Sequence, residues 1–146
     1  MPSRWHLSLG LHPRRVQLHH LHGAMSRFFD HRTDGSSDFA LCPPELGAEE
    51  TTRVELRVLS DDRSVVDRLV NGLLAAEADG GLLLGPRDRQ RRVRLLPPSG
   101  AVALGPLSLV EAMSWGELQS PAVPVQQFTV HFLSPYFSRK GNSQLP

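Results

Sequence analysis

Covalent bracing is the first thing this chain lacks. Cys42 is its one cysteine, which excludes an internal disulfide. In Cys42-Pro43-Pro44 it reads as a buried structural thiol rather than a nucleophile. No apolar run reaches the roughly 20 residues of a membrane span, and the N-terminus carries no signal-peptide core. The expectation is a cytoplasmic protein with no membrane partner. Charge of one sign is missing too: a formal net charge of +1 over 146 residues excludes a chain that grips nucleic acid by its average. HExxH is absent. His19 and His22 share a helical face, but no carboxylate or thiol follows at ligand spacing, so neither a metal nor a cofactor is expected. Repeats and low-complexity segments are also absent.

What remains is an ordinary globular composition, 40% hydrophobic and 21% charged, long enough for a real core. Its charges are unevenly placed. Arg14 and Arg15, the run Arg87 to Arg92, and Arg139 with Lys140 are basic clusters, while acids gather at Glu45 to Glu50 and around Asp61, Asp62 and Asp67. A basic face is thus possible without a basic average.

The stretch from Val16 to Phe39 draws most attention. Leu18, Leu21, Met25, Phe28 and Phe29 recur at helical period, predicting an amphipathic helix that stops near Asp30. Gly23 inside it costs about 1 kcal/mol against alanine, which suggests close packing on a neighbour. The loop Thr33 to Asp38 follows. Four of the seven histidines, His19, His20, His22 and His31, lie in this stretch, and histidine is the side chain most readily used as acid and base near neutral pH.

Taken in order, Trp5 to Leu11 alternates as a strand, ended by Pro13, before that helix. Phe39 to Cys42 is a short strand, and Thr52 to Val58 a half-buried one. Asp61 or Asp62 caps a second helix, with Val65, Val66, Leu69, Val70, Leu73 and Leu74 on its buried side and Gly80-Gly81 at its end. Leu82 to Leu84 and Arg92 to Leu96 read as strands around a charged turn, a solvated hairpin tip or a phosphate contact. Leu107 to Trp115 supports a short helix, and Val123 to Leu133 a final strand with Phe128, Val130 and Phe132 on its apolar face. Strand, helix, strand, strand, helix, strand is the α+β ferredoxin-like (βαββαβ) pattern, an antiparallel sheet with both helices on one face, plus an extra hairpin and a short helix.

Three segments resemble the CRISPR-associated repeat endoribonucleases of the Cas-six type, which process precursor CRISPR RNA. HHLHGAMSRFF resembles that family's first helix. DHRTDGSSDFALCP resembles its following loop, with a histidine eight residues before the phenylalanine that opens the next strand. FTVHFLSPYFSRKGNSQLP resembles its late strand, with Ser-Pro and an aromatic leading towards a second domain; DRLVNGLL fits its second helix. The resemblance implies a first ferredoxin-like RNA-processing domain over 1–138 and the start of a linker over 139–146. A second, glycine-rich half, in a further domain or a partner chain, would hold much of the RNA. It implies metal-independent cleavage of a CRISPR repeat stem-loop: the ribose 2′-hydroxyl attacks the adjacent phosphate, leaving a 2′,3′-cyclic phosphate. Such chemistry needs a base, an acid and positive charge.

His31 matches the family's loop histidine and is the catalytic candidate. Ser26 and Ser37 stand where some members have a tyrosine and a lysine. His20 or His22 is then the candidate second catalytic histidine, and Arg27 or Arg32 the candidate cation on RNA. Arg139 and Lys140 are further RNA-binding candidates, and Tyr136 or Phe137 could stack on a base. Two other readings stay open: a non-catalytic repeat-RNA-binding module among other CRISPR effector proteins, and an unrelated ferredoxin-like structural domain. For His31 the plain alternative is an exposed histidine favourably placed at a helix C-terminus.

Overall fold

The computed structural model describes residues 1–96, 107–119, 126–131, 138–140 and 143–145. They form a mixed α+β arrangement built on one antiparallel sheet. Strand β1 (Ser3–Leu9) and helix α1 (Leu18–Met25) come first. Strands β2 (Phe39–Leu41), β3 (Glu45–Leu46) and β4 (Thr52–Val58) follow, then helix α2 (Arg63–Ala78). Four short strands come next: β5 (Leu82–Leu84), β6 (Arg91–Val93), β7 (Leu95–Leu96) and β8 (Leu107–Ala112). Helical turn α3 (Trp115–Leu118) and the hairpin of β9 (Ser138–Lys140) and β10 (Ser143–Leu145) complete the set.

β1 and β4 are the central pair, in register from Ser3 opposite Val58 to Leu9 opposite Thr52. β2 and β3 share the outer side of β4; β7 and β8 share the outer side of β1. Alternation explains the central strands. Thr52, Val54, Leu56 and Val58 are buried while Arg53 and Arg57 between them are exposed, because successive side chains of a strand point to opposite faces. The Thr52 hydroxyl, buried among them, donates to the Leu11 carbonyl. Leu7 and Leu9 of β1 complete the inward face, and Leu21, Ala24 and Met25 of α1 join Val65, Leu69 and Leu73 of α2 against it in a single core.

α2 begins where capping chemistry predicts. The Asp62 carboxylate accepts the Ser64 amide at 2.9 Å, satisfying one of the helix's free donors. α1 is shorter than its apolar period implies: it ends at Met25 and passes into a 3-10 turn, Ser26–Phe28. Gly23 is exposed, and a Cβ there would meet nothing within 4 Å. The close approach predicted for it occurs instead at Gly72 of α2, where a Cβ would lie 2.6 Å from Phe28 Cε1 and closer still to Cδ1.

Further expectations need correction. Leu107 to Trp115 is not one helix. Leu107–Ala112 pairs with β1, shifting register between Arg4 and Trp5, and helix starts only after Ser114 and Glu117 close a capping box. A long-range edge, invisible in local period, decides this. β5 is a strand, but it pairs with β6 outside the main sheet. Arg92 to Leu96 divides into β6 and β7 at Arg94, whose carbonyl accepts the Gly10 amide at 2.7 Å. Residues 126–131 have no strand structure and are exposed, Phe128 at 77%. Phe128 is therefore not a core residue. The remainder of that expected strand, with Phe132, and the aromatics Tyr136 and Phe137 lie outside the described residues. Ser138–Lys140 and Ser143–Leu145, within the basic tail, pair antiparallel. No helix among the described residues is long and apolar enough to cross a membrane.

Candidate functional site

The exit of α1, the loop after it and the start of β2 enclose an open cavity of about 410 Å³. Helical spacing places His22 of α1 and Ser26, which caps the helix's C-terminus with its amide on the His22 carbonyl, four residues apart on one face. The loop contributes Asp30, His31 and Arg32, and its return leg adds Ser36 and Ser37. Phe29 and Phe39 form the floor. Their rings stack with centroids 4.3 Å apart and planes 14° from parallel, and His22 stacks on Phe39 at 4.9 Å. The imidazole of His22 thus rests on an aromatic face in a residue that is exposed.

Two ion pairs clamp the loop. At its start Asp30 accepts from Arg68 of α2 at 2.7 Å; that hydrogen bond and charge hold the Asp30 carboxyl below the usual carboxylate range. At its end Arg32 Nη2 lies 2.7 Å from Asp38, whose side chain is 7% exposed. A buried carboxylate needs such a partner. The Asp38 carbonyl also accepts the Leu59 amide at 2.7 Å, extending the β2–β4 ladder by one bond. Between the clamps, Asp34 accepts from the Ser36 amide at 2.9 Å and hydroxyl at 2.6 Å. These bonds lower the Asp34 pKa. Gly35 provides the left-handed backbone of that turn, at φ 79°.

The cavity brings together His22, His31 and Arg32, three of the residues singled out in the sequence, along with both serines. His20 lies elsewhere. Two residues before His22, it is turned about 200° around the helix, and it packs against His19 with ring centroids 4.1 Å apart. Arg27 is exposed on the 3-10 turn and does not line the cavity. Arg139 and Lys140 are opposite Gln144 and Ser143 in the β9–β10 hairpin. Among the described residues no group of three or more His, Cys, Asp or Glu side chains is placed to hold a metal. The Ser26 hydroxyl donates to the Gly23 carbonyl at 2.8 Å, and the Ser37 hydroxyl donates to the Phe39 carbonyl at 2.8 Å.

The sequence reading missed Asp38 and the ring stack. Asp38 stands one position before a buried strand residue, the signal that could have marked it; Phe29 read only as part of a helix's apolar stripe and Phe39 only as the start of a strand. Of the basic run, Arg87 and Arg89 are exposed at the tip of the β5–β6 hairpin, and Arg91 donates to the Arg15 carbonyl at 2.8 Å. Cys42 is half-buried, and burial pushes its thiol pKa up. Chemically the cavity offers two imidazoles and one guanidinium, which faces Asp38 through Nη2 and carries five N–H donors in all. No family model matches the chain, and neither the curated proteins nor the solved structures show a significant match to it.

Proposed function

We propose that the chain is a ferredoxin-like domain that acts on RNA at the His22–His31–Arg32 cavity. Supporting the fold is the sheet itself: β1 and β4 are central, β2 flanks β4, β7 and β8 flank β1, and helices follow β1 and β4 in the chain. The particular activity proposed is that of a CRISPR repeat endoribonuclease of the Cas-six type, in which this chain itself contacts the RNA and a second half adds to the grip.

The observation carrying this reading is the gathering of both imidazoles and Arg32 around one open cavity. In the proposed reaction one imidazole removes the proton of a ribose 2′-hydroxyl. The O2′–P bond forms, and Arg32 balances charge on the phosphorane. The P–O5′ bond then breaks, and the second imidazole gives its proton to the departing O5′. The products are a 2′,3′-cyclic phosphate and a 5′-hydroxyl. Neither serine is a useful proton carrier, since each hydroxyl is engaged with a backbone carbonyl.

That engagement favours one other reading, a repeat-RNA-binding module without catalysis. Incubating the chain with labelled repeat RNA and a chelator separates the two. The nuclease reading expects a cyclic-phosphate product, with the rate falling about 10²- to 10⁴-fold in His31→Ala. Tight, salt-dependent binding without product supports the module. If RNA affinity does not respond to salt, both fail, and an unrelated structural domain remains.

A further inference from the structure

A second cavity, of about 300 Å³, lies at the end of the sheet where β1 begins and β4 ends. Pro2, Leu59, Met113 and Leu118 contribute apolar walls. Arg4 and Arg57, which face one another across the β1–β4 ladder, line it too. Neither guanidinium is a bare cation. Arg57 Nε and Nη2 each lie 2.8 Å from Glu55, and Arg4 Nη2 lies 3.2 Å from Glu111, itself in the lining.

This charge balance selects the class of ligand. A phosphate or carboxylate would meet Glu111 at once. A neutral planar ring with polar edges suits the cavity better, with apolar walls for its faces, guanidinium planes to stack on, and donors and acceptors for its edge. The cavity's position adds a second argument. Leu59 lines it, and the Leu59 amide donates at 2.7 Å to the carbonyl of Asp38, whose neighbours Ser37 and Phe39 line the first cavity. The two linings are thus joined through one main-chain hydrogen bond, at the end of the sheet where β2 begins and β4 ends.

We propose that the second cavity is a nucleobase subsite that takes an unpaired base of the same RNA, beside the linkage held near His31. The inference rests on the RNA reading above. The test measures binding of repeat RNAs, each with one nucleotide replaced by an abasic residue, to the wild-type chain and to Leu118→Ala. Leu118 is 52% exposed, so its truncation spares the core; thermal melting is measured alongside. In the wild type, one abasic position beside the cut weakens binding about tenfold, the scale of one base–side-chain stack. In Leu118→Ala the same replacement costs less than about twofold. An equal loss in both proteins, or a uniform response along the RNA, overturns the subsite while leaving RNA binding intact. If the wild-type chain binds no repeat RNA, the RNA reading fails and the subsite fails with it.

Discussion

Gly23 and Gly72 each sit inside a helix, and alanine should move stability in opposite directions at the two positions. Helix propensity alone favours alanine over glycine by about 0.8–1 kcal/mol. At Gly23 nothing opposes this gain, because the new Cβ points into open space. Gly23→Ala is therefore expected to stabilise the chain by about 0.5–1 kcal/mol, raising Tm by about 2–4 °C at this size. At Gly72 the same gain meets the Phe28 ring, with Cε1 at 2.6 Å and Cγ at 3.1 Å from the new Cβ. Ordinary carbon contacts fall near 3.5–4 Å, so the ring must shift by about an ångström. Phe28 packs against the core, and its neighbour Phe29 floors the cavity, so it cannot move freely. Overpacking of this kind costs about 1–3 kcal/mol; with the propensity gain of about 0.8–1 kcal/mol deducted, Gly72→Ala should lose up to about 2 kcal/mol. Urea and thermal unfolding followed by circular dichroism measure both changes. In a Phe28→Ala background the Gly72→Ala change should become stabilising. A Tm that rises with Gly72→Ala in the wild-type background refutes the reasoning.

Asp38→Ala should cost about 1–2 kcal/mol by removing the buried partner of Arg32, and amide exchange over residues 30–37 should accelerate; unchanged exchange would mean the ion pair does not hold the loop. Burial opposes the Glu55 charge, but the hydrogen bond and charge of Arg57, with the charge of Arg4, outweigh it and keep the carboxyl below its ordinary value of 4.5. A carboxyl depressed in the folded state contributes stability above its unfolded pKa and loses it as pH falls through the folded value. Glu55→Gln should accordingly lose less stability than the wild type when acidified below about pH 4.5, and parallel acid profiles would disprove the linkage. Cys42, its thiol pKa raised by burial, should react with iodoacetamide at pH 8 more slowly than a free cysteine does; equal rates would contradict that.

Local pattern and structure agree most closely where the governing forces act within one element. β4 alternates as its residues require, and Asp62 caps α2 as a short-range hydrogen bond allows. Disagreement arises where distant parts decide. LSLVEAMSW satisfies a helical period, yet its first six residues complete the exposed edge of β1. Gly23 and Gly72 look alike in sequence, and only the path of Phe28 tells them apart. The site divides in the same way. His22 and Ser26 share a face by helix geometry alone, whereas the clamp between Arg32 and Asp38 depends on how the loop returns to β2. Period gives no hint of that return.

The two clamps also define where this protein tolerates change. His31 lies between the Asp30 and Arg32 anchors, and Asp38 is pinned by its pair with Arg32 and by Leu59. The short bend around Gly35 spans the gap between these fixings. Extra residues spliced into that bend would lengthen the rim of the cavity while both fastenings stay closed, which makes it the natural place to graft a new recognition arm.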